Sequence, residues 1–105
     1  MNLTYPTTLV LQALANGSCH GFDLLDATGL ASGTVYPILR RLESEGLVYA
    51  RWERVAIARE EQRPPRRYYE LTAAGEAFLE TARKRHPIPG AIATRLRRLR
   101  PARSS

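Results

Sequence analysis

The sequence predicts an α+β fold, mainly α, built from three helices, a two-stranded β-hairpin and one further helix. Two observations carry this prediction. Apolar residues recur at helical spacing in the first half of the chain, and two runs rich in β-forming residues follow them. The 105 residues, of which 44% are hydrophobic and 25% charged, suffice for one globular domain with a modest core.

The first helix is expected to begin after Thr4, whose hydroxyl can cap it, with Pro6 in its first turn. Asn16 and Gly17 are typical of a helix end. Between these signals, residues 9–15 are apolar on nearly every side, which is unusual for a short surface helix. We therefore expect this helix to be buried on two faces, the second of which another chain could cover.

Two more helices are predicted before the hairpin. The second spans about residues 20–27, and its side chains expected to face the core are Phe22, Leu24 and Leu25. The third has an apolar stripe at i, i+3, i+4 and i+7, which consists of Val35, Ile38, Leu39 and Leu42. Either Ser32 or Thr34 can cap this helix, and Thr34 places Pro37 best within the first turn. Two helices joined by a tight turn with glycine are typical of a helix-turn-helix.

The hairpin and the last helix complete the predicted order of elements. Residues 47–54 and 66–71 are the two strands, and residues 55–65 form a charged loop between them. Thr72 then caps a helix over residues 73–85. Its apolar stripe consists of Ala74, Phe78 and Ala82. Three helices, a hairpin and a helix in this order predict a winged helix-turn-helix, in which the hairpin is the wing.

Charge is distributed unevenly along the chain. The net charge is +6, from 16 lysines and arginines against 10 acids. Half of the basic residues lie in residues 83–105, where there is no acid, so the preceding part is near neutral. We divide the chain into a winged-helix domain with dimerisation helices at residues 1–86 and a basic tail rich in proline and arginine at residues 87–105. The tail is either disordered or a short amphipathic helix.

Several classes of protein are disfavoured by simple features of the sequence. No stretch approaches the roughly 18 apolar residues of a membrane span, and the first residues lack the pattern of a secretory signal, so we expect no membrane partner. The single cysteine, Cys19, allows no intramolecular disulfide, which favours a cytoplasmic location. Cys19, His20 and Asp23 suggest a metal site, but neighbouring side chains diverge and a site needs three or four convergent ligands. We expect no metal, no cofactor and, without a recognisable catalytic motif, no enzyme activity.

The sequence also resembles the PadR-like (phenolic-acid repressor) transcriptional regulators over about residues 9–79. The resemblance rests on Gly17-Ser18-Cys19-His20-Gly21-Phe22, Ser32-Gly33-Thr34-Val35-Tyr36-Pro37-Ile38-Leu39-Arg40-Arg41-Leu42-Glu43, Glu45-Gly46-Leu47-Val48, Trp52 and Arg66-Arg67-Tyr68-Tyr69-Glu70-Leu71-Thr72-Ala73-Ala74-Gly75. It implies a homodimeric DNA-binding regulator, usually a repressor, with the third helix in the major groove and the wing on the backbone or minor groove. It further implies that the first and last helices pair the subunits.

Three features depart from the pattern of this family. Residues 20–32 form a short segment for the family, and the last helix is short, as in members without a long C-terminal helical domain. The arginine tail, interrupted by prolines, is not part of the pattern.

The candidate DNA-binding residues lie on the third helix and at the tip of the wing. At 100° per residue, positions opposite the core stripe face outward, where they can meet phosphates and base edges. The predicted contacts are Ser32, Thr34, Tyr36, Pro37, Arg40, Arg41, Arg59 and Arg63. The alternative is a solvated helix face and a salt-bridged hairpin. Trp52 has two interpretations, a stacking platform for a ligand or packing between strand and helix.

We predict from these observations a sequence-specific DNA-binding transcriptional regulator, a repressor that acts as a homodimer on a double-stranded DNA operator. The predicted dimer contacts are Leu9, Leu11, Ala74, Phe78 and Ala82. The alternative is a winged-helix protein-interaction module without DNA binding, which the near-neutral body keeps open. A ligand sensor of the same fold is a third possibility, although nothing in the sequence identifies a small-molecule effector.

Overall fold

The computed structural model describes residues 3–17 and 19–96. Its elements are α1 (Tyr5–Leu14), β1 (Cys19–His20), α2 (Gly21–Thr28), α3 (Ser32–Ser44), β2 (Val48–Trp52), α4 (Val55–Glu60), β3 (Arg67–Leu71), α5 (Ala73–Arg85) and α6 (Gly90–Leu96). The strands form one antiparallel sheet in the order β1-β3-β2. The predicted mainly helical winged-helix fold is therefore confirmed, with two additions, β1 and α4. Among the described residues, no helix has the length and apolar character needed to cross a membrane.

Helix α1 is the centre of the core. The Thr4 hydroxyl caps it by accepting a hydrogen bond from the Thr7 backbone N–H at 3.3 Å. Around it pack α2, α3, α5, α6 and β3, so the helix is enclosed by its own chain. Leu9 and Leu11, which we expected at a dimer interface, are 5% and 0% exposed within this single chain. The all-round apolar character of α1 is thus accounted for by intramolecular packing.

Helix α2 corrects one prediction about the core. Leu24 is fully buried and Leu25 is half-buried, but Phe22 is 70% exposed. Residues two apart on a helix point about 200° away from each other, so Phe22 and Leu24 cannot both face the same core. The helix ends as predicted, since Gly29 adopts a left-handed conformation with φ of 71° and its N–H bonds the Leu25 carbonyl.

Helix α3 has the predicted core stripe and a different start. Val35, Leu39 and Leu42 are at most 1% exposed, whereas Ile38 is half-buried. The predicted caps are wrong: both Ser32 and Thr34 lie inside the helix, and the residue before it, Ala31, provides no side-chain cap. Pro37 is therefore an interior residue, where it removes one helical hydrogen bond. The three buried side chains anchor the helix in spite of that loss.

The wing contains a helix that we did not predict. Between β2 and β3, α4 buries Ile57 and Ala58, and its six residues are too few to produce a recognisable apolar period. After it, Gln62 adopts a left-handed φ of 55°, which turns the chain back so that Arg63 N–H bonds the Ala58 carbonyl. The charged loop of the sequence is consequently a folded unit with its own small core.

Helix α5 begins at the predicted cap, since the Thr72 hydroxyl accepts a hydrogen bond from Gly75 N–H at 3.0 Å. A Cβ at Gly75 would collide with the Leu47 carbonyl oxygen, so only glycine allows this close approach. The buried face of α5 consists of Gly75, Leu79 and Ala82, rather than the predicted stripe of Ala74, Phe78 and Ala82. Ala74 is exposed and Phe78 is half-buried.

Helix α6 folds back onto the body of the domain. Leu96 is fully buried, and Ile88 and Ile92 pack against the core. The Asn16 side-chain amide donates to the Leu96 carbonyl at 2.9 Å, and α6 contacts α1 and α2. Residues 88–96 therefore pack as part of the domain, although we placed them in the tail. The remaining tail arginines, beyond residue 96, lie outside the described residues.

Candidate nucleic-acid interface

The outward face of α3 is the first component of the site. We call Ser32, Thr34, Pro37, Arg40 and Arg41 the recognition surface. All of them are exposed except Thr34, which is half-buried. Because Val35, Leu39 and Leu42 fix the opposite face in the core, these side chains are held toward solvent by a rigid helix.

Tyr36, predicted to touch DNA through its hydroxyl, joins α3 to α2. It is half-buried, and a Cβ placed on Gly21 would lie 2.7 Å from its ring atom Cε1. The ring therefore lies directly on the backbone at the start of α2, and a larger residue at position 21 would push the two helices apart. Tyr36 thus sets the geometry of the helix-turn-helix.

A buried ion pair stabilises the base of the wing. Glu53 is 4% exposed, and its two carboxylate oxygens accept hydrogen bonds from Arg63 Nη1 at 2.5 Å and Nη2 at 3.0 Å. Tyr68 donates a third bond at 3.2 Å. The Arg63 hydrogen bond is the main reason why the pKa of Glu53 falls to about 2. Arg63, a predicted DNA contact, thus uses its guanidinium to close the wing loop, while Arg59, at the end of α4, is exposed.

A second interaction connects the wing to α3. Arg67 Nη2 lies 3.1 Å from Glu43 Oε2, and the Arg67 guanidinium stands 5.3 Å from the centroid of the Trp52 ring. We call this arrangement the Glu43–Arg67–Trp52 bridge. Trp52 is 63% exposed, which contradicts one of its two interpretations, packing between strand and helix. The ring lies at the end of β2, opposite Arg67, whose guanidinium stacks on it.

A cavity of about 390 Å³ lies between the helix-turn-helix and the wing. We call it the wing cleft. It is lined by His20 of β1, by Gly21 and Phe22 at the start of α2, and by Tyr36, residues 63–67 and Tyr69. Sequence analysis missed this feature because its walls come from three separate segments. In the part of the chain that the structure describes, no group of three His, Cys, Asp or Glu side chains is placed to hold a metal ion.

His20 is a buried residue of the wing-cleft lining, 8% exposed. Its Nε2 is 3.1 Å from Arg66 Nη1 and 3.3 Å from Asp23 Oδ2. Burial lowers the pKa of His20 below its ordinary value, an effect that Asp23 opposes and Arg66 reinforces. Its other ring nitrogen, Nδ1, is buried without a hydrogen-bond partner among the described residues.

Comparison with known proteins gives a consistent result. The sequence model of the transcriptional regulator PadR-like family matches residues 10–81. A PadR-like transcription factor from Bacteroides fragilis is 27% identical, with a TM-score of 0.63, over 75% of this chain and 77% of that one. A PadR family transcription regulator from Clostridium difficile R20291 is 26% identical, with a TM-score of 0.68, over 78% and 86%.

The circadian clock associated protein Pex from Anabaena shares the fold. It is 20% identical, with a TM-score of 0.62, over 76% of this chain and 72% of that one. No curated protein matches the chain.

Proposed function

Because the chain belongs to the PadR-like family of transcriptional regulators, we propose that it represses transcription by binding an operator sequence in double-stranded DNA as a homodimer. The observation that carries this proposal is the recognition surface. It presents Arg40 and Arg41 from a helix whose opposite face is locked in the core, in a fold whose third helix suits the major groove. The wing stands beside it and supplies the exposed Arg59 for backbone contact.

The experiment is a selection of binding sites from random double-stranded DNA by the purified chain, followed by titration of the selected site. We expect Arg40→Ala to weaken binding to that site by about 1–3 kcal/mol and to relax its sequence preference. Arg85→Ala, which removes an exposed arginine at the end of α5, is the matched control and should preserve the preference. Failure to enrich any sequence would favour the protein-interaction module instead.

The homodimer has support from α5. Ala74 is exposed, and Phe78 packs against the core but is only half-buried. Exposed apolar surface is typical of subunit contacts. We place the twofold interface there, since Leu9, Leu11 and Ala82 contact their own chain.

Sedimentation analysis checks the homodimer. Phe78→Ala should raise the dimer dissociation constant about tenfold or more, whereas Glu80→Ala, two residues further along α5 and exposed, should not. A wild-type chain that stays monomeric at micromolar concentration would contradict the dimer.

In keeping with a regulator that has a single cysteine, we also propose a cytoplasmic location.

A further inference from the structure

An open groove of about 470 Å³ lies between the end of α1 and the outer side of α5. We call it the α5 groove. Its lining combines apolar with charged side chains, and consists of Ala15, Ala73, Glu76, Ala77, Leu79, Glu80 and Arg83. Leu79 is 3% exposed, and every other lining residue is exposed to solvent. The groove is therefore accessible to a segment of polypeptide.

The charges around the α5 groove favour a cationic occupant. Glu80 pairs with Arg83, but within residues 3–17 and 19–96 Glu76 forms no ion pair. The last turn of α1, which the structure describes in full, contains no basic residue. Because the carbonyl end of a helix carries a partial negative charge, a guanidinium near this end of α1 is stabilised. An arginine placed here gains both Glu76 and the helix end.

The chain leaves the described residues beside this groove. The Asn16 side-chain amide donates to the Leu96 carbonyl at 2.9 Å, and that carbonyl group is joined to the backbone nitrogen of residue 97. Asn16 directly follows Ala15, which belongs to the groove lining. An extended residue spans about 3.3–3.6 Å, so residues 97–99 can reach about 10 Å from this anchor. The groove is thus within reach of the residues that follow α6.

The sequence of those residues complements the groove. Residues 97–100 read Arg-Arg-Leu-Arg, and residues 97–105 contain no acid. Arginine forms two parallel hydrogen bonds with a carboxylate, which suits Glu76 and Glu80 at the rim. Leu99 is the apolar residue among the three arginines, and it matches the apolar part of the lining around Leu79.

Arg95 shows the same kind of contact one helix away. A Cβ placed on Gly29 would lie 3.9 Å from Arg95 Nη2, so this guanidinium lies near the C-terminal end of α2. Helix α2, like α1, has no basic residue of its own in its last turn. An arginine that follows in the sequence thus lies at a helix end that lacks one.

We propose that residues 97–100 dock in the α5 groove of their own chain, with guanidinium groups on Glu76 and on the end of α1, and with Leu99 against Leu79. Guanidinium groups held in the groove cannot neutralise DNA phosphates at the same time. The groove and DNA therefore compete for the same charges, which lowers binding to random DNA. This competition rests on the proposed function, whereas docking in the groove does not.

Disulfide trapping in the full chain tests the docking. Cys19→Ser removes the native thiol, and Leu99→Cys is combined with Ala77→Cys in the groove. A disulfide requires the two Cβ atoms to approach to about 3.5–4.5 Å, so we expect this pair to oxidise within one chain at least tenfold faster than a control pair. The control replaces Ala77→Cys by Thr81→Cys, which is exposed on the next turn of α5 and outside the lining.

Two charge variants in the trapping background assign the contact. Glu76→Gln should slow oxidation about fivefold, because it removes an attraction that salt also screens. Asp26→Asn removes the same charge from an exposed position on α2, outside the α5 groove, and should leave the rate unchanged. Equal rates for the groove pair and the control pair, or an unchanged rate in Glu76→Gln, would overturn the proposal. A disulfide formed mainly between two chains would assign the groove to a partner's tail and overturn it as well.

A measurement without added cysteines keeps the test independent of those variants. Leu99→Ala in the native chain should shift the backbone amide signals of Glu76 and Ala77 in NMR spectra. The amide signals of α4 should stay where they are, because that helix lies outside the groove lining. Unchanged signals of Glu76 and Ala77 would contradict docking of Leu99.

The trapped chain then separates docking from DNA binding. The oxidised form should bind random DNA about tenfold more weakly than the reduced form, with a shallower salt slope, and reduction should restore both. If the disulfide forms as expected and neither form binds DNA, the docking proposal stands and the proposed function fails. If the groove pair does not oxidise faster than the control pair and the chain binds DNA, the docking proposal is wrong and the proposed function stands.

Discussion

The recognition surface and the wing are both rich in arginine, but they use it differently. On α3, Arg40 and Arg41 are exposed on a helix that is fixed from behind by apolar side chains. In the wing, Arg63, Arg66 and Arg67 bind Glu53, His20 and Glu43. The comparison teaches that arginines counted along a sequence do not measure a surface available to DNA. In this chain Arg63, Arg66 and Arg67 of the wing shape the site, and Arg40 and Arg41 of α3 are available to contact DNA.

The largest effect should come from the buried ion pair of the wing. Glu53→Gln keeps the size of the side chain but removes the charge that Arg63 binds, so the free energy of unfolding should fall by about 2 kcal/mol. Glu80→Gln, which breaks the exposed pair with Arg83, should change it by less than about 0.5 kcal/mol. Denaturant unfolding measures both. If both variants lower the free energy of unfolding equally, the buried Arg63–Glu53 pair stabilises the fold no more than an exposed ion pair does.

The same ion pair predicts a pH dependence. The folded-state pKa of Glu53 is about 2, below its ordinary 4.5, so its stabilising contribution is present above the higher value and is lost as pH falls through the lower one. The difference in unfolding free energy between wild type and Glu53→Gln should therefore be constant near neutral pH and shrink between about pH 4.5 and 2. A difference that persists below pH 2 would exclude ionisation of Glu53 as its source.

The next largest effect should come from the tail arginines, which belong neither to the recognition surface nor to the wing. Their removal tests whether they support DNA binding. Truncation after Leu96 removes Arg97, Arg98, Arg100 and Arg103, which lie outside the described residues, and spares α6. If they neutralise phosphates, affinity should fall roughly tenfold for selected and random DNA alike. The log–log salt slope should become shallower by about two units or more per dimer. An altered preference between the two DNAs would place sequence reading in the tail.

The smallest effect should come from the Glu43–Arg67–Trp52 bridge. If it holds the wing at the angle that DNA requires, Glu43→Gln should lower affinity about threefold without changing the preferred site. Arg67→Lys, which keeps the charge but loses the planar guanidinium, should do the same. If Glu43 acts on DNA only through its negative charge, Glu43→Gln should instead raise the affinity for DNA, because a repulsive charge is removed. The chain's single tryptophan, Trp52, reports loss of the bridge by fluorescence.

The sequence was most informative where one side of an element packs against the core. The buried stripe of α3 and the caps at Thr4 and Thr72 follow from local rules, and the structure has them. Phe22 is exposed, contrary to the prediction, because its helical angle relative to Leu24 directs it away from the core in spite of its apolar character. Two-residue β1 and six-residue α4 are too short to leave a periodic signal.

The interactions that shape the candidate site depend on residues distant in sequence. Glu53 meets Arg63 across the loop, and Glu43 meets Arg67 across two elements. His20 meets Arg66, which lies 46 residues further along the chain. A charge pattern along the chain cannot show which acid a given arginine will find. The wing cleft was unpredictable for the same reason, since its walls come together only on folding.

The docking of α6 has a consequence for the order in which the domain folds and opens. A seven-residue helix is unstable alone, so α6 forms only when Leu96 enters the core and Asn16 bonds its carbonyl. The Asn16–Leu96 hydrogen bond joins positions 80 residues apart, and closing so long a loop costs entropy, so we expect α6 to dock late in folding. The backbone amides of α6 should therefore exchange hydrogen through a local opening whose free energy is lower than that of global unfolding. The amides of α1 should exchange only when the whole domain unfolds.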